Sequence, residues 1–300
     1  MPAAGRPALP PWLKVSLPTG PAVARLREAS RSRGLATVCE EARCPNIAEC
    51  WGGGTATFMV MGETCTRGCR FCSVGTSVKP PPPDAEEPFR LALTLKEMAI
   101  DYAVLTTVCR DDLPDQGAAH LASCLREIKN LCPRMKLEML LQDFRGDQGL
   151  LEIVLDAGPD VVAHNVECVE RLAPFVRDAK AGYRRSLDVL LHSKKYLPEA
   201  PTKTSLMLGL GETEAELVQA FNDIRSVGVE ILTLGQYLRP SSSRRHLPVD
   251  RFVTPEEFDR FGGIARSHGF LHVASGPFVR SSYRAAELFL KGHLEKGIAR

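Results

Sequence analysis

Six of the ten cysteines in this 300-residue chain lie between Cys39 and Cys72. They form two triplets. Cys39, Cys44 and Cys50 are spaced C-x4-C-x5-C, and Cys65, Cys69 and Cys72 are spaced C-x3-C-x2-C. Thiols grouped this closely, in a chain that reads as having no secretory signal, point to metal rather than disulfides. Structural zinc takes four ligands, commonly from two short C-x2-4-C pairs. A cubane iron–sulfur cluster is likewise usually held by four cysteines. Three thiolates therefore leave one iron open to a weaker protein ligand or to a substrate. The competing readings are a zinc knuckle or, for the first triplet, scattered core cysteines. Against a core stand its polar neighbours Glu40, Glu41, Arg43, Asn46 and Glu49.

Elements that would position these groups are legible downstream. Residues 1–20 read as a Pro-rich arm and 22–33 as a short basic helix. Pro45 and the run Gly52-Gly53-Gly54 prevent a long regular element around the first triplet, which reads as an ordered loop. From Thr55 onward strands and helices alternate. Expected strands cover TATFMVMG (55–62), 102–108, 136–144, 161–167, 202–210, 231–238 and 272–276. Expected helices cover 91–99, 117–132, 148–158, 180–197, a segment from Thr213 to Arg225, a segment after Thr254, and 284–297. Thr213 with Glu216, and Thr254 with Pro255 and Glu257, are capping-box patterns.

Six or seven β-α units imply a parallel sheet with crossover helices. That is too few for a full eight-fold barrel, so a partial, six-stranded (β/α) barrel is expected. Sites in such sheets lie at the C-terminal ends of the strands. The second triplet falls there, with Arg110-Asp111-Asp112, Asn165 and Glu167, Gly209–Glu212, and Gln236-Tyr237.

Composition excludes several classes. A net charge of +2 gives no argument for nucleic acid or membrane partners. No run of about eighteen apolar residues predicts a spanning helix. A cytoplasmic setting is the expectation.

The second triplet, CTRGCRFC with Phe71 before its last cysteine, resembles the signature of the radical S-adenosylmethionine superfamily. The resemblance implies that the open iron chelates the amino and carboxylate groups of S-adenosylmethionine. One electron then breaks the sulfonium bond and releases a 5′-deoxyadenosyl radical, with Phe71 near the adenine. The first triplet, together with RSSY at 280–283, narrows the resemblance to the lipoyl synthase family. MGETCTRGCRFC, RDDLPDQGA, HNVE, MLGLGETE and GPFVRSSYRA agree, and the resemblance runs from about residue 36 to 290.

Lipoyl synthases insert two sulfur atoms at C6 and C8 of an octanoyl chain. The chain is amide-linked to a lysine of a lipoyl carrier protein, such as a 2-oxoacid dehydrogenase E2 subunit or glycine-cleavage H protein. Two 4Fe–4S clusters are implied. One binds S-adenosylmethionine through Cys65, Cys69 and Cys72. The other is an auxiliary sulfur donor held by Cys39, Cys44 and Cys50, with Ser281 as fourth ligand. An electron donor such as ferredoxin or flavodoxin is needed. The chemistry fits the residues, since an octanoyl methylene is not acidic enough for any side-chain base and a cofactor must supply a radical. The implied domains are an N-terminal extension (1–54), a radical barrel (55–279) and a C-terminal segment with its helix (280–300). The alternatives are another radical sulfur-inserting enzyme with an auxiliary cluster, or a non-enzymatic electron-transfer or cluster-carrier protein.

The remaining candidates carry less. Arg110 could orient S-adenosylmethionine or serve as a loop charge. Asn165 and Glu167 suit ribose hydroxyls and the methionyl ammonium. His164 reads as structural, and the glycines of 209–212 as a turn or a close approach to cofactor. Cys124, Cys132 and Cys168 read as small buried hydrophobes. Cys109 stands where the family pattern has an acidic residue. Arg184, Arg185, Lys194 and Lys195 form a basic helix face, either solvated or a docking patch for a carrier.

Overall fold

The computed structural model describes residues 9–14, 35–37, 55–98 and 100–283. The helices expected over 22–33 and 284–297, and the Cys39, Cys44 and Cys50 triplet, lie outside them. The described chain runs β1 (Ala36–Thr37), β2 (Thr55–Val60), β3 (Thr64–Cys65), β4 (Gly75–Thr76), α1 (Glu87–Met98), β5 (Tyr102–Thr107), α2 (Ala118–Leu131), β6 (Lys136–Leu140), α3 (Gln148–Leu155) and β7 (Val161–Ala163). It continues through α4 (Ala173–Val176), α5 (Tyr183–Tyr196), β8 (Thr202–Leu208), α6 (Glu214–Ser226), β9 (Ile231–Gln236), α7 (Pro255–Ser267) and β10 (His272–Gly276).

The main sheet has the order β1-β2-β5-β6-β7-β8-β9-β10. The short β1 is antiparallel to β2, and every other pairing is parallel. Each crossover adds its strand beside the previous one. With right-handed connections that monotonic order keeps the helices on one face, the winding of a barrel rather than of a doubly wound sheet. All seven expected strands form and are parallel, one more than the six of the expected barrel, because the last, β10, pairs with β9 over its whole length. Among the described residues β10 forms one edge and is not paired to β2.

Strand alternation sorts side chains between the two faces. Toward the helices, Phe58, Leu105 and Met139 pack with Leu121, Leu125 and Ile128 of α2. Farther along, Leu206, Leu208, Leu232 and Leu234 pack with Leu217 and Phe221 of α6 and Phe258 and Phe261 of α7. The opposite face carries Thr57, Glu138, Lys203 and Thr233, all buried. There both Glu138 oxygens accept from Lys203 Nζ at 2.9 Å, and one also accepts from the Tyr102 hydroxyl at 2.9 Å.

Both expected capping boxes form, Thr213 with Glu216 and Thr254 with Glu257, the latter with Pro255 in the first turn. Most strands end one or two residues before the expected bound, and two stop four residues short. β6 ends at Leu140 and the chain turns through Phe144, Arg145 and Gly146, at φ of 43°, 54° and 86°. The Asp143 carboxylate accepts the Arg145 N–H inside that turn. β7 ends at Ala163, so Asn165 and Glu167 are not in a strand interior. Among the described residues no helix is long and apolar enough to cross a membrane.

Candidate functional site

The loop after β2 carries the second cysteine triplet, and backbone N–H groups from several elements turn toward its sulfurs. Cys65 Sγ accepts from the Arg67 N–H at 3.4 Å and from the Cys109 N–H at 3.3 Å. Cys69 Sγ accepts from the Asp178 N–H at 3.3 Å. Donors of this kind favour a thiolate over a thiol. The Cys109 thiol beside Cys65, more than any other group, holds Cys65 down at about 6 against the effect of burial. Burial pushes Cys72 up to about 11, and the charges of Cys69 and Cys65 add to it. Three sulfurs close enough to disfavour one another's charge suit a shared cation centre. All three are free of disulfides.

Four other segments fasten this loop. Thr66 donates its N–H and hydroxyl to the Cys109 carbonyl, each at 2.9 Å. Arg67 forks onto Asp111 at 3.0 and 2.8 Å and reaches Asp143 Oδ1 at 2.7 Å. Arg70 donates its N–H to the Val176 carbonyl at 2.8 Å, and the Asp178 carboxylate accepts the Gly68 N–H at 2.7 Å. From the segment after β9, His246 Nε2 meets the Cys72 carbonyl at 3.0 Å and Arg245 donates to the Val74 carbonyl at 3.1 Å. Asn165, Glu167, the Gly209 turn and the RSSY turn likewise follow strand ends, at β7, β8 and β10.

Asn165 and Glu167 sit in a bulge. The chain leaves β8 after Ala163 and pairs with it again at Glu167, whose N–H reaches Ser205 and whose carbonyl receives the Met207 N–H. The Thr204 hydroxyl fills the gap, accepting the Val166 N–H and donating to the His164 carbonyl. Glu167 has φ of 76°, strained for a non-glycine residue. Such bulges re-aim side chains near sites. Burial raises the Glu167 carboxyl, while the Arg177 charge and a hydrogen bond from Asn165 pull the other way. Phe71 is half-buried against the α6–α7 core.

Arg110 is 1 % exposed and forks onto Asp112 at 2.8 Å through Nε and Nη2, while its Nη1 meets no acceptor. Ser281 is half-buried in the turn after β10. Gly235 admits that turn, since a Cβ there would stand 2.1 Å from the Val279 carbonyl oxygen.

Other candidates have partners within the protein. His164 bridges the Leu141 carbonyl and the Ser186 hydroxyl, and burial holds it neutral, down to about 4. Gly209, at φ of 91°, makes room for the Gln236 amide and the Arg251 carbonyl, while Glu212 accepts the Gly209 and Leu210 N–H groups. The basic helix face is partly neutralised. Arg184 is held by Glu170 and Asp223, and Lys194 by Glu230. Sequence reasoning missed Arg67, Asp143, Arg177, Asp178, Arg245 and His246. Arg67 lies within CTRGCRFC and could have been singled out there; the others have no local signal, and Asp178 lies 109 positions from Cys69.

The sequence profile of the Radical SAM superfamily matches residues 59–224, more than half of the chain. The profile of the N-terminal domain of lipoyl synthase matches residues 2–44. Lipoyl synthase from Myxococcus xanthus is 58% identical over 287 residues, covering 96% of this chain and 95% of its own length. The chain belongs to the lipoyl synthase family. Mitochondrial lipoyl synthase of Aedes aegypti is 54% identical, covering 96% of this chain and 74% of its own. The fold is shared more widely. Methylornithine synthase superposes with a TM-score of 0.52 at 12% identity, covering 91% of this chain and 92% of its own. The maturase HydG superposes at 0.57 with 11% identity, covering 79% and 62%. As a member of the lipoyl synthase family the chain is a sulfurtransferase. Its superfamily carries a 4Fe–4S cluster and S-adenosylmethionine, and the three free thiols with their N–H donors fit such a cluster.

Proposed function

We propose that this chain adds sulfur at C6 and C8 of an octanoyl chain attached to a lysine of a carrier protein. The carriers are of the 2-oxoacid dehydrogenase E2 or glycine-cleavage H type, a ferredoxin or flavodoxin supplies electrons, and the setting is cytoplasmic. The observation that carries the reading is the convergence of backbone N–H donors on the Cys65 and Cys69 sulfurs at the strand ends.

Cys65, Cys69 and Cys72 hold the cluster that binds S-adenosylmethionine. When bound, that pair supplies a primary alkyl radical able to take hydrogen from an unactivated methylene. Phe71 offers a ring face to the adenine. Asn165 and Glu167 offer an amide and a carboxylate to the ribose and the methionyl ammonium. A cation beside Glu167 offsets the burial that raises its carboxyl. Arg110 keeps Asp112 in place and has Nη1 left for a ligand.

Cys39, Cys44, Cys50 and Ser281 hold the auxiliary cluster. A serine oxygen is a harder, poorer iron ligand than a thiolate, which suits a cluster that is to give up sulfide. The first triplet belongs to an N-terminal extension of residues 1–54, ahead of the barrel of 55–279, and RSSY to a C-terminal segment of 280–300.

The test uses anaerobically prepared protein with S-adenosylmethionine, reductant and an octanoyl-lysyl peptide. The expected result is about eight irons and eight sulfides per chain, 5′-deoxyadenosine, and a lipoyl peptide. About four irons per chain would remove the auxiliary cluster. 5′-Deoxyadenosine with an unchanged peptide would remove the sulfur insertion.

A further inference from the structure

Among the helices that cover the sheet, Glu87 of α1 meets His120 and Cys124 of α2. His120 and Cys124 are four positions apart, so they share one helix face. One donor atom from each of the three residues lies within 4.8 Å of the other two. His120 Nε2 is 2.6 Å from Glu87 Oε2, and that oxygen also accepts the Met61 N–H at 2.9 Å. Cys124 is fully buried and Glu87 is buried as well. None of the three has a part in the chemistry described above.

We propose that Glu87, His120 and Cys124 form a structural binding site for a divalent cation of the zinc type. The donor set selects the metal class. Thiolate, imidazole and carboxylate are the three side-chain ligands of zinc, and a sulfur donor disfavours magnesium and calcium. Tetrahedral zinc bonds set donor atoms roughly 3.3–3.8 Å apart, so the His120–Glu87 contact, at 2.6 Å, must open to admit the ion, while no pair of donors, all within 4.8 Å of one another, has to close by much more than about 1 Å. Electrostatics favour occupancy. Burial, and after it the Glu87 carboxylate, oppose ionisation of the Cys124 thiol, and a dication between the two groups turns the second of these into attraction and offsets the first. A water completes the coordination.

The location gives the site a purpose. Met61 and Gly62, at φ of 68° and 83°, form the exit from β2 into the Cys65 loop. A metal fixing Glu87 also fixes the carboxylate that holds Met61, bracing the root of the cluster-bearing loop from behind.

The experiment uses cluster-loaded enzyme desalted into metal-free buffer and titrated with zinc chloride. Bound zinc is read by elemental analysis, X-ray absorption at the zinc edge, and Tm. The expected result is one zinc per chain with one sulfur and otherwise nitrogen and oxygen neighbours, and a Tm that rises with zinc. Cys124→Ala and His120→Gln should each weaken zinc binding at least tenfold and abolish the Tm rise, with iron content unchanged. Three or four sulfur neighbours would mean zinc in the cluster cysteines and would overturn the proposal. So would negligible zinc uptake by the wild-type protein, a measurement that needs no variant to fold.

Discussion

Asp178 holds the cysteine loop at two points: its carboxylate accepts the Gly68 N–H at 2.7 Å, and its own N–H donates to Cys69 Sγ at 3.3 Å. Asp178→Ala removes the first contact and leaves the second. A lost charge-assisted hydrogen bond costs about 1.5–3 kcal/mol at most, and less here because Asp178 is partly exposed. The expected outcome is a folded protein that assembles its cluster but loses iron several-fold faster to a chelator. Iron release at the wild-type rate would show that the carboxylate is dispensable.

Gly235→Ala tests how Ser281 is delivered. The new methyl would stand 2.1 Å from the Val279 oxygen and 3.0 Å from its carbonyl carbon. Backbone cannot yield as a side-chain tip does, so the turn after β10 must shift. The substitution is expected to lower lipoyl formation more than tenfold while 5′-deoxyadenosine is still released. Equal loss of both products would place the damage in the barrel instead.

The pair Arg67 and Asp111 makes stability depend on acid. Burial opposes the charged carboxylate, but the Arg67 hydrogen bonds and charge, with Thr66, outweigh it and hold Asp111 at about 2 rather than 3.8. A carboxyl depressed in the folded state stabilises above its unfolded pKa and loses that contribution as pH falls through the folded one. Denaturant midpoints should therefore drop between about pH 4 and pH 2, and Asp111→Asn should flatten part of that drop. A variant with the same acid limb would deny Asp111 its share.

Lys203→Met should be the most destabilising of these changes. Lys203 and Glu138 are each 2 % exposed at the side chain and pair at 2.9 Å. Removing one member leaves a buried charge, at about 3–5 kcal/mol. Lys203→Met with Glu138→Leu should recover much of that loss, because the orphaned charge goes too. Chemical denaturation of the single and double variants decides the matter. A double variant no more stable than the single would mean that packing, not charge, sets the cost.

Much of this protein was written in local pattern. The thiol spacing of Cys65, Cys69 and Cys72, the alternation of strands and helices, and the caps at Thr213 and Thr254 all depend on residues a few positions apart, where spacing alone fixes geometry. Strand ends were less legible. The left-handed run at Phe144 to Gly146 and the bulge at Glu167 depend on Asp143 and Thr204 finding partners, which apolar periodicity does not record. Tertiary structure alone decided which charges were spent. Arg184 and Lys194 read as a free basic face until Glu170, Asp223 and Glu230 met them. It alone brought Asp178 to Cys69 across 109 positions. Contacts at that range arise from strand order and crossover handedness, and a one-dimensional pattern has no term for either.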